Sequence, residues 1–301
     1  GAIEAIDEAL RTARNSGVRL QVSHLLPRRT ADSEDVRAVE LVEKARAHGL
    51  DVRFDMHTRL FGTTYLNTII PPWAHAEPSL GALLGSDSGR ARMRQSPSIV
   101  ASGGWDRVVL LDHPAFPDYS RQSFGDLGRK TGRDPFDIAF DILQHDIDDL
   151  SRAMVIIKAY TPDQQARVFA HPLCMPGSDA TTLAPDGPLA GSTFHGAYSW
   201  AAWFFHFMVH ERKLLSPEEA IHRLTGLPAD TLGLSGRGRI APGMAADLAI
   251  FDAQQFRDRA STFEANQLAV GMKHVIVNGE LSLRDGKPTG IRAGQVIRRG
   301  G

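Results

Sequence analysis

The chain has 301 residues, with 34 lysines and arginines against 35 aspartates and glutamates, a formal net charge of −1. That balance lacks the basic surplus of a nucleic-acid binder, and no run of 18 apolar residues is present to cross a membrane. Cys174 is the only cysteine, which excludes an intrachain disulfide and fits a reducing, cytoplasmic compartment. Hydrophobic residues make up 42% and charged residues 23%, as expected of a globular chain of about two domains or one barrel-sized domain.

Residues 3–16 place Ile3, Ile6, Ala9, Leu10 and Ala13 at helical spacing, and Gly17 ends that helix. Residues 18–25 alternate like a half-buried strand. A second helix is predicted over 31–47, stopped by Gly49, and a second strand over 51–56. This strand–helix–strand rhythm argues for parallel α/β packing. Further on, a short strand is expected over 108–112. A helix follows over 134–144, with Asp134 as N-cap and Pro135 in its first turn. A strand is read over 153–159, and Thr161-Pro162-Asp163 opens a helix running to Phe169. Residues 173–176 lead into Gly177-Ser178-Asp179. Residues 198–209 form the most apolar stretch. Ser216, Pro217 and Glu219 carry the capping-box pattern of a helix over 216–224. Short strands over 246–251, 274–278 and 280–283, with a turn at Asp285-Gly286, make a separate small β unit.

Three residues share one context. His24, His57 and Asp179 each stand at or just past the C-terminal end of a predicted strand. In a parallel α/β barrel that edge gathers the functional loops. Two imidazoles and a carboxylate are zinc donors, and a carboxylate beside a bound water suits a general base. Each residue also has a plain structural reading, because 12 histidines will place one after a strand by chance. His206 and His210 are four apart on one helix, but no Glu stands in the HExxH position and the helix is full of aromatics, so packing is the better reading. His113 reads as a loop residue, and Arg292, Arg298 and Arg299 as a solvated tail. The glycine pairs Gly103-Gly104 and Gly300-Gly301 fit no phosphate loop.

The words around these residues are more specific: LQVSHL around His24, FDMHTRLFGTTYLNTIIPPW around His57, HPLCMPGSDATT around Asp179, then GMAADLAIFD and VIVNGELSLRDGKPTG. In this order, over most of the chain, they resemble the amidohydrolase superfamily and, within it, the D-aminoacylase (N-acyl-D-amino-acid deacylase) group. The resemblance implies an α/β fold. Residues 1–240 would be the later part of a TIM-like (β/α)8 barrel, and residues 241–301 the C-terminal segment of a small β-sandwich. His24 and His57 would be metal ligands ending the fifth and sixth barrel strands. Asp179 would be the catalytic acid/base ending the eighth. The implied cofactor is zinc, one or two ions. The implied reaction is hydrolysis of an N-acyl-D-amino acid at a non-peptide C–N bond. A cyclic-amide hydrolase of the dihydroorotase or hydantoinase type is the alternative within the class.

The chain also departs from the family pattern. The family's His-x-His pair and its bridging Cys, Glu or modified Lys have no counterpart here. The expectation is a fragment whose remaining ligands belong to a preceding part, with a catalytically incompetent remnant as the rival reading. Cys174 does not stand at the ligand-cysteine position and reads as core. The segment after the aspartate lacks the family's His-Pro-Arg-like run. His195 and Arg59 are the candidates for binding substrate there. The expected partner is a small N-acyl amino acid, with neither nucleic acid nor membrane, and a homo-oligomer is left open.

Overall fold

The computed structural model describes residues 2–25, 34–96, 104–180, 183–189 and 194–297, with the side chains of residues 34 and 35 left aside. The expected helix start at 31–33, Gly103, Ser192 and Thr193, and the tail from Arg298 to Gly301 lie outside the described residues. In chain order the strands are β1 (Leu20–Val22), β2 (Val52–His57), β3 (Phe61–Tyr65), β4 (Val108–Leu110), β5 (Met154–Lys158), β6 (Cys174–Gly177), β7 (Leu248–Phe251), β8 (Met272–Val277), β9 (Glu280–Arg284) and β10 (Lys287–Pro288). Among the described residues they fall into two compact units, one of residues 2–25, 34–59 and 162 onward, the other of residues 60–161.

The first unit holds a three-stranded parallel sheet in the order β1-β2-β6. In β2, Val52, Phe54 and Met56 are buried while Arg53 and Asp55 are only half-buried, the period-two pattern of a strand with two different faces. Helix Ala2–Ser16 buries Ile3, Ile6, Leu10 and Ala13, as its spacing predicts. Helix Glu34–Ala47 buries Ala38, Val42 and Ala45. The strand expected over 18–25 is ordered as a ladder only over Leu20–Val22; Ser23 and His24 leave it in a turn. The second strand, by contrast, extends one residue past expectation and takes His57 into the sheet.

The second unit is built on an antiparallel sheet ordered β3-β5-β4. Strand β3 is not expected from the sequence, because Gly62, Thr63 and Thr64 break the apolar alternation. Leu66, Leu110, Phe124, Phe140 and Val155 belong to its core. Its helix Pro135–His145 starts as the sequence predicts, with the Asp134 carboxylate accepting from the Phe136 N–H. The entry and exit of the unit lie side by side, since the N–H groups of Ala159 and Tyr160 both donate to the Leu60 carbonyl.

Returning to the first unit, the apolar stretch 198–209 forms helix Trp200–Phe205, continued as a π-helical turn over His206–Glu211. Phe204, Phe205, Phe207 and Met208 are buried, so packing accounts for this segment. His210 Nε2 donates to the Ala253 carbonyl at 2.7 Å. Helix Pro217–Leu224 carries the expected capping box between Ser216 and Glu219. The tail forms an antiparallel sheet ordered β10-β9-β8-β7, and none of its strand residues is fully buried. Its Asp285-Gly286 turn has both residues left-handed, at φ 48° and 73°, as a type I′ hairpin requires. Among the described residues no helix is long and apolar enough to cross a membrane.

Candidate active site

Parallel pairing of β1, β2 and β6 puts the C-terminal ends of all three strands on one edge. That edge brings His24, His57 and Asp179 together although 155 residues separate the first from the last. His24 Nε2 lies 2.9 Å from Asp179 Oδ1. The His24 and His57 rings are 6.1 Å apart, centroid to centroid, with planes at 67°. His57 is buried, whereas the His24 and Asp179 side chains are 48% and 49% exposed, so the group is anchored at the sheet and open at its outer side.

Backbone strain marks the same two exposed residues. His24 and Asp179 adopt left-handed φ values of 48° and 50°. For a residue with a Cβ this costs about 1–2 kcal/mol, and such outliers concentrate where surrounding contacts enforce them, often at functional sites. His57 is fixed differently. The Thr58 N–H continues the ladder to the Gly177 carbonyl at 3.1 Å. From helix Pro162–Ala170, the fully buried Gln165 donates through Nε2 to the carbonyls of His57 and Arg59 at 2.7 and 2.8 Å. A cleft of about 790 Å3 opens in front, with His24, His57, Asp55, Asp179, Arg53 and Met175 among its lining residues.

His195 and Arg59 form a second group. The Arg59 guanidinium is buried and donates to Ser199 Oγ at 3.0 Å. It also lies 3.4 Å from an Asp258 oxygen and packs 5.6 Å from the centre of the Trp203 ring. Burial lowers the Arg59 pKa and raises that of Asp258, and in each case the partner's charge opposes the shift. His195 donates through Nε2 to the Thr262 carbonyl. Burial, helped by the Arg59 charge, holds His195 below the ordinary imidazole range, against the Thr262 hydrogen bond. Cys174 is fully buried in β6, and burial pushes its thiol well above the usual range.

The donor chemistry at the sheet edge, two imidazole nitrogens and a carboxylate, fits zinc. Among the described residues no closed set of three or more His, Cys, Asp or Glu side chains is gathered tightly enough to hold a metal alone. Sequence reasoning gave no role to Asp55, Gln165 or Asp258. Asp55 had a readable signal, a carboxylate two residues before His57 and so on the same face of the strand. Gln165 and Asp258 act across long sequence separations and have none.

Residues 177–282 match the sequence profile of the amidohydrolase family. The chain is 28% identical to an N-acyl-D-glutamate deacylase of Alcaligenes xylosoxydans xylosoxydans, over 99% of this chain and 52% of that protein. Among solved structures it superposes on a D-aminoacylase with a TM-score of 0.74 at 22% identity, covering 99% of this chain and 53% of that one. It also superposes on an N-acyl-D-glutamate deacylase from Bordetella bronchiseptica, solved with zinc and a phosphonate inhibitor. There the TM-score is 0.64 at 25% identity, over 95% of this chain and 52% of the other. The chain thus spans about half the length of the relatives it matches. In sequence and fold it is similar to amidohydrolases, and among them to proteins of the D-aminoacylase group.

Proposed function

We propose that this chain carries the His–His–Asp part of a zinc-dependent amidohydrolase that cleaves the amide of an N-acyl-D-amino acid. The convergence of His24, His57 and Asp179 on one edge of a parallel sheet carries this reading. The relatives named as N-acyl-D-glutamate deacylases support the substrate class. In this reading the parallel sheet belongs to the later part of a TIM-like barrel within residues 1–240, and residues 241–301 to a β-sandwich domain. The lone, buried Cys174 agrees with a reducing cytoplasm.

His24 and His57 would hold zinc through their imidazoles. Bound zinc supplies Lewis acidity, polarising the scissile carbonyl and bringing a water's ionisation near neutral pH. Asp179 accepts the proton of the attacking water as the new C–O bond forms. It then delivers that proton to the amine nitrogen as the C–N bond breaks, releasing a carboxylate and a D-amino acid. Its carboxylate is half-exposed, lines the cleft and sits on strained backbone, which supports this role. In the full chain, Asp179→Asn should cut kcat by about 10²–10⁴-fold with little change in thermal stability. Near-parental turnover of N-acyl-D-glutamate by that variant would overturn the assignment.

A further inference from the structure

We propose that Asp55 is a positioning residue whose carboxylate latches the turn that presents His24. This rests on the reading of His24 as a site ligand. The β1–β2 ladder stops at Val22–Phe54, and the next residue of β2 takes over with its side chain. Asp55 Oδ2 accepts from Gln21 Nε2 and from Ser23 Oγ, both at 2.9 Å, and Asp55 Oδ1 accepts from the His24 N–H at 3.1 Å. The Asp55 carbonyl also accepts from the Leu25 N–H at 3.1 Å. One residue thus gathers donors from residues 21, 23, 24 and 25, bracketing the strained φ of His24 on both sides.

The geometry explains how a residue with a Cβ stays in a left-handed conformation on an exposed turn. Ser23 and His24 are both exposed, so packing does not hold them; the hydrogen bonds to Asp55 do, alongside the His24–Asp179 contact. The arrangement also predicts which substitution is tolerated. Gln21 Oε1 is buried and has no hydrogen-bond partner. In Asp55→Asn the new amide keeps an oxygen for the His24 N–H. Gln21 can turn its own amide over, so that Oε1 accepts from the asparagine Nδ2, while Ser23 Oγ can accept as well as donate. The latch therefore needs the planar two-atom head of Asp or Asn and not the negative charge. Alanine supplies neither atom.

The test compares Asp55→Ala, Asp55→Asn and His24→Ala in the full chain. Hydrogen–deuterium exchange is followed by mass spectrometry over residues 20–25, and zinc affinity is read by competition with a chromophoric chelator. Asp55→Ala should speed exchange over 20–25 by at least about tenfold and weaken zinc binding about 10–100-fold, the usual cost of losing a ligand's supporting partner. Asp55→Asn should restore slow exchange and most of the zinc affinity. Unchanged exchange in a folded Asp55→Ala would overturn the latch. So would an Asp55→Asn variant that loses as much zinc affinity as Asp55→Ala at an unchanged melting temperature, because the charge would then be what acts. If Asp55→Ala does not fold, Asp55→Ser, which keeps a polar group too short to span the turn, is read by the same exchange. Parental zinc affinity in His24→Ala would instead defeat the metal reading, and the exchange data would still decide the latch.

Discussion

Cys174 and His195 show how burial, as the largest influence, rewrites a side chain's chemistry. The Cys174 thiol, 1% exposed, is held in its protonated form by its surroundings, and the thiolate is the reactive species. The native protein should therefore react with Ellman's reagent at least about tenfold more slowly than the same chain in denaturant. Equal rates would contradict the burial. His195 has its pKa lowered by burial. Above pH ~6.5 both folded and unfolded states leave it neutral. As pH falls through that value, the unfolded chain takes up a proton that the folded one refuses. The stability linked to His195 is thus present above the unfolded pKa and lost as pH falls toward the folded one. Urea titrations from pH 8 to 5 should show a flatter stability curve for His195→Leu than for the parent. The Arg59–Asp258 pair makes a third residue-scale prediction. Asp258→Ala leaves a buried guanidinium without its counter-charge and should destabilise the fold by on the order of 3 kcal/mol, measured by the same titration.

At the scale of elements, the end of β2 depends on a helix far away in sequence. Gln165 satisfies the His57 and Arg59 carbonyls where the strand passes beyond its ladder. Gln165→Leu leaves two buried acceptors without donors and should cost about 1–3 kcal/mol. It should also loosen the strand end, read as faster amide exchange at Thr58 and Arg59. Helix starts behave locally by comparison. The residues at Asp134, Pro135, Ser216 and Glu219 announce their helices in the sequence, and the caps form as expected, because a cap is satisfied within three residues of itself. Strand β3 was not legible. A Gly-Thr-Thr run has no pattern of its own and becomes a strand only because β5 pairs with it.

At the scale of the molecule, residues 60–161 form a compact unit with its own core. No composition shift marks the boundary, because the unit is defined by contacts among its members. Its adjacent ends at Leu60 and Ala159 are those of a domain inserted into a loop. Residues 60–161 produced alone should fold, giving a single cooperative thermal transition in far-ultraviolet circular dichroism. A featureless melt would show that the unit depends on the rest of the chain.

By itself the sequence determined the class of packing and the local vocabulary: parallel strand–helix–strand units at the start, capped helices, a turn at Asp285-Gly286, and two histidines and an aspartate at or just past strand ends. These are set by neighbours within one or two turns of chain, where propensity, period and capping act. The meeting of His24 with Asp179 across 155 residues was legible only as a resemblance; the tertiary structure supplied the contact itself. It also decided that Arg59 turns to Asp258 and Ser199, and that Asp55 takes over where the β1–β2 ladder stops. Such contacts depend on strand order and on which face each side chain takes, and neither is fixed until the sheet has assembled.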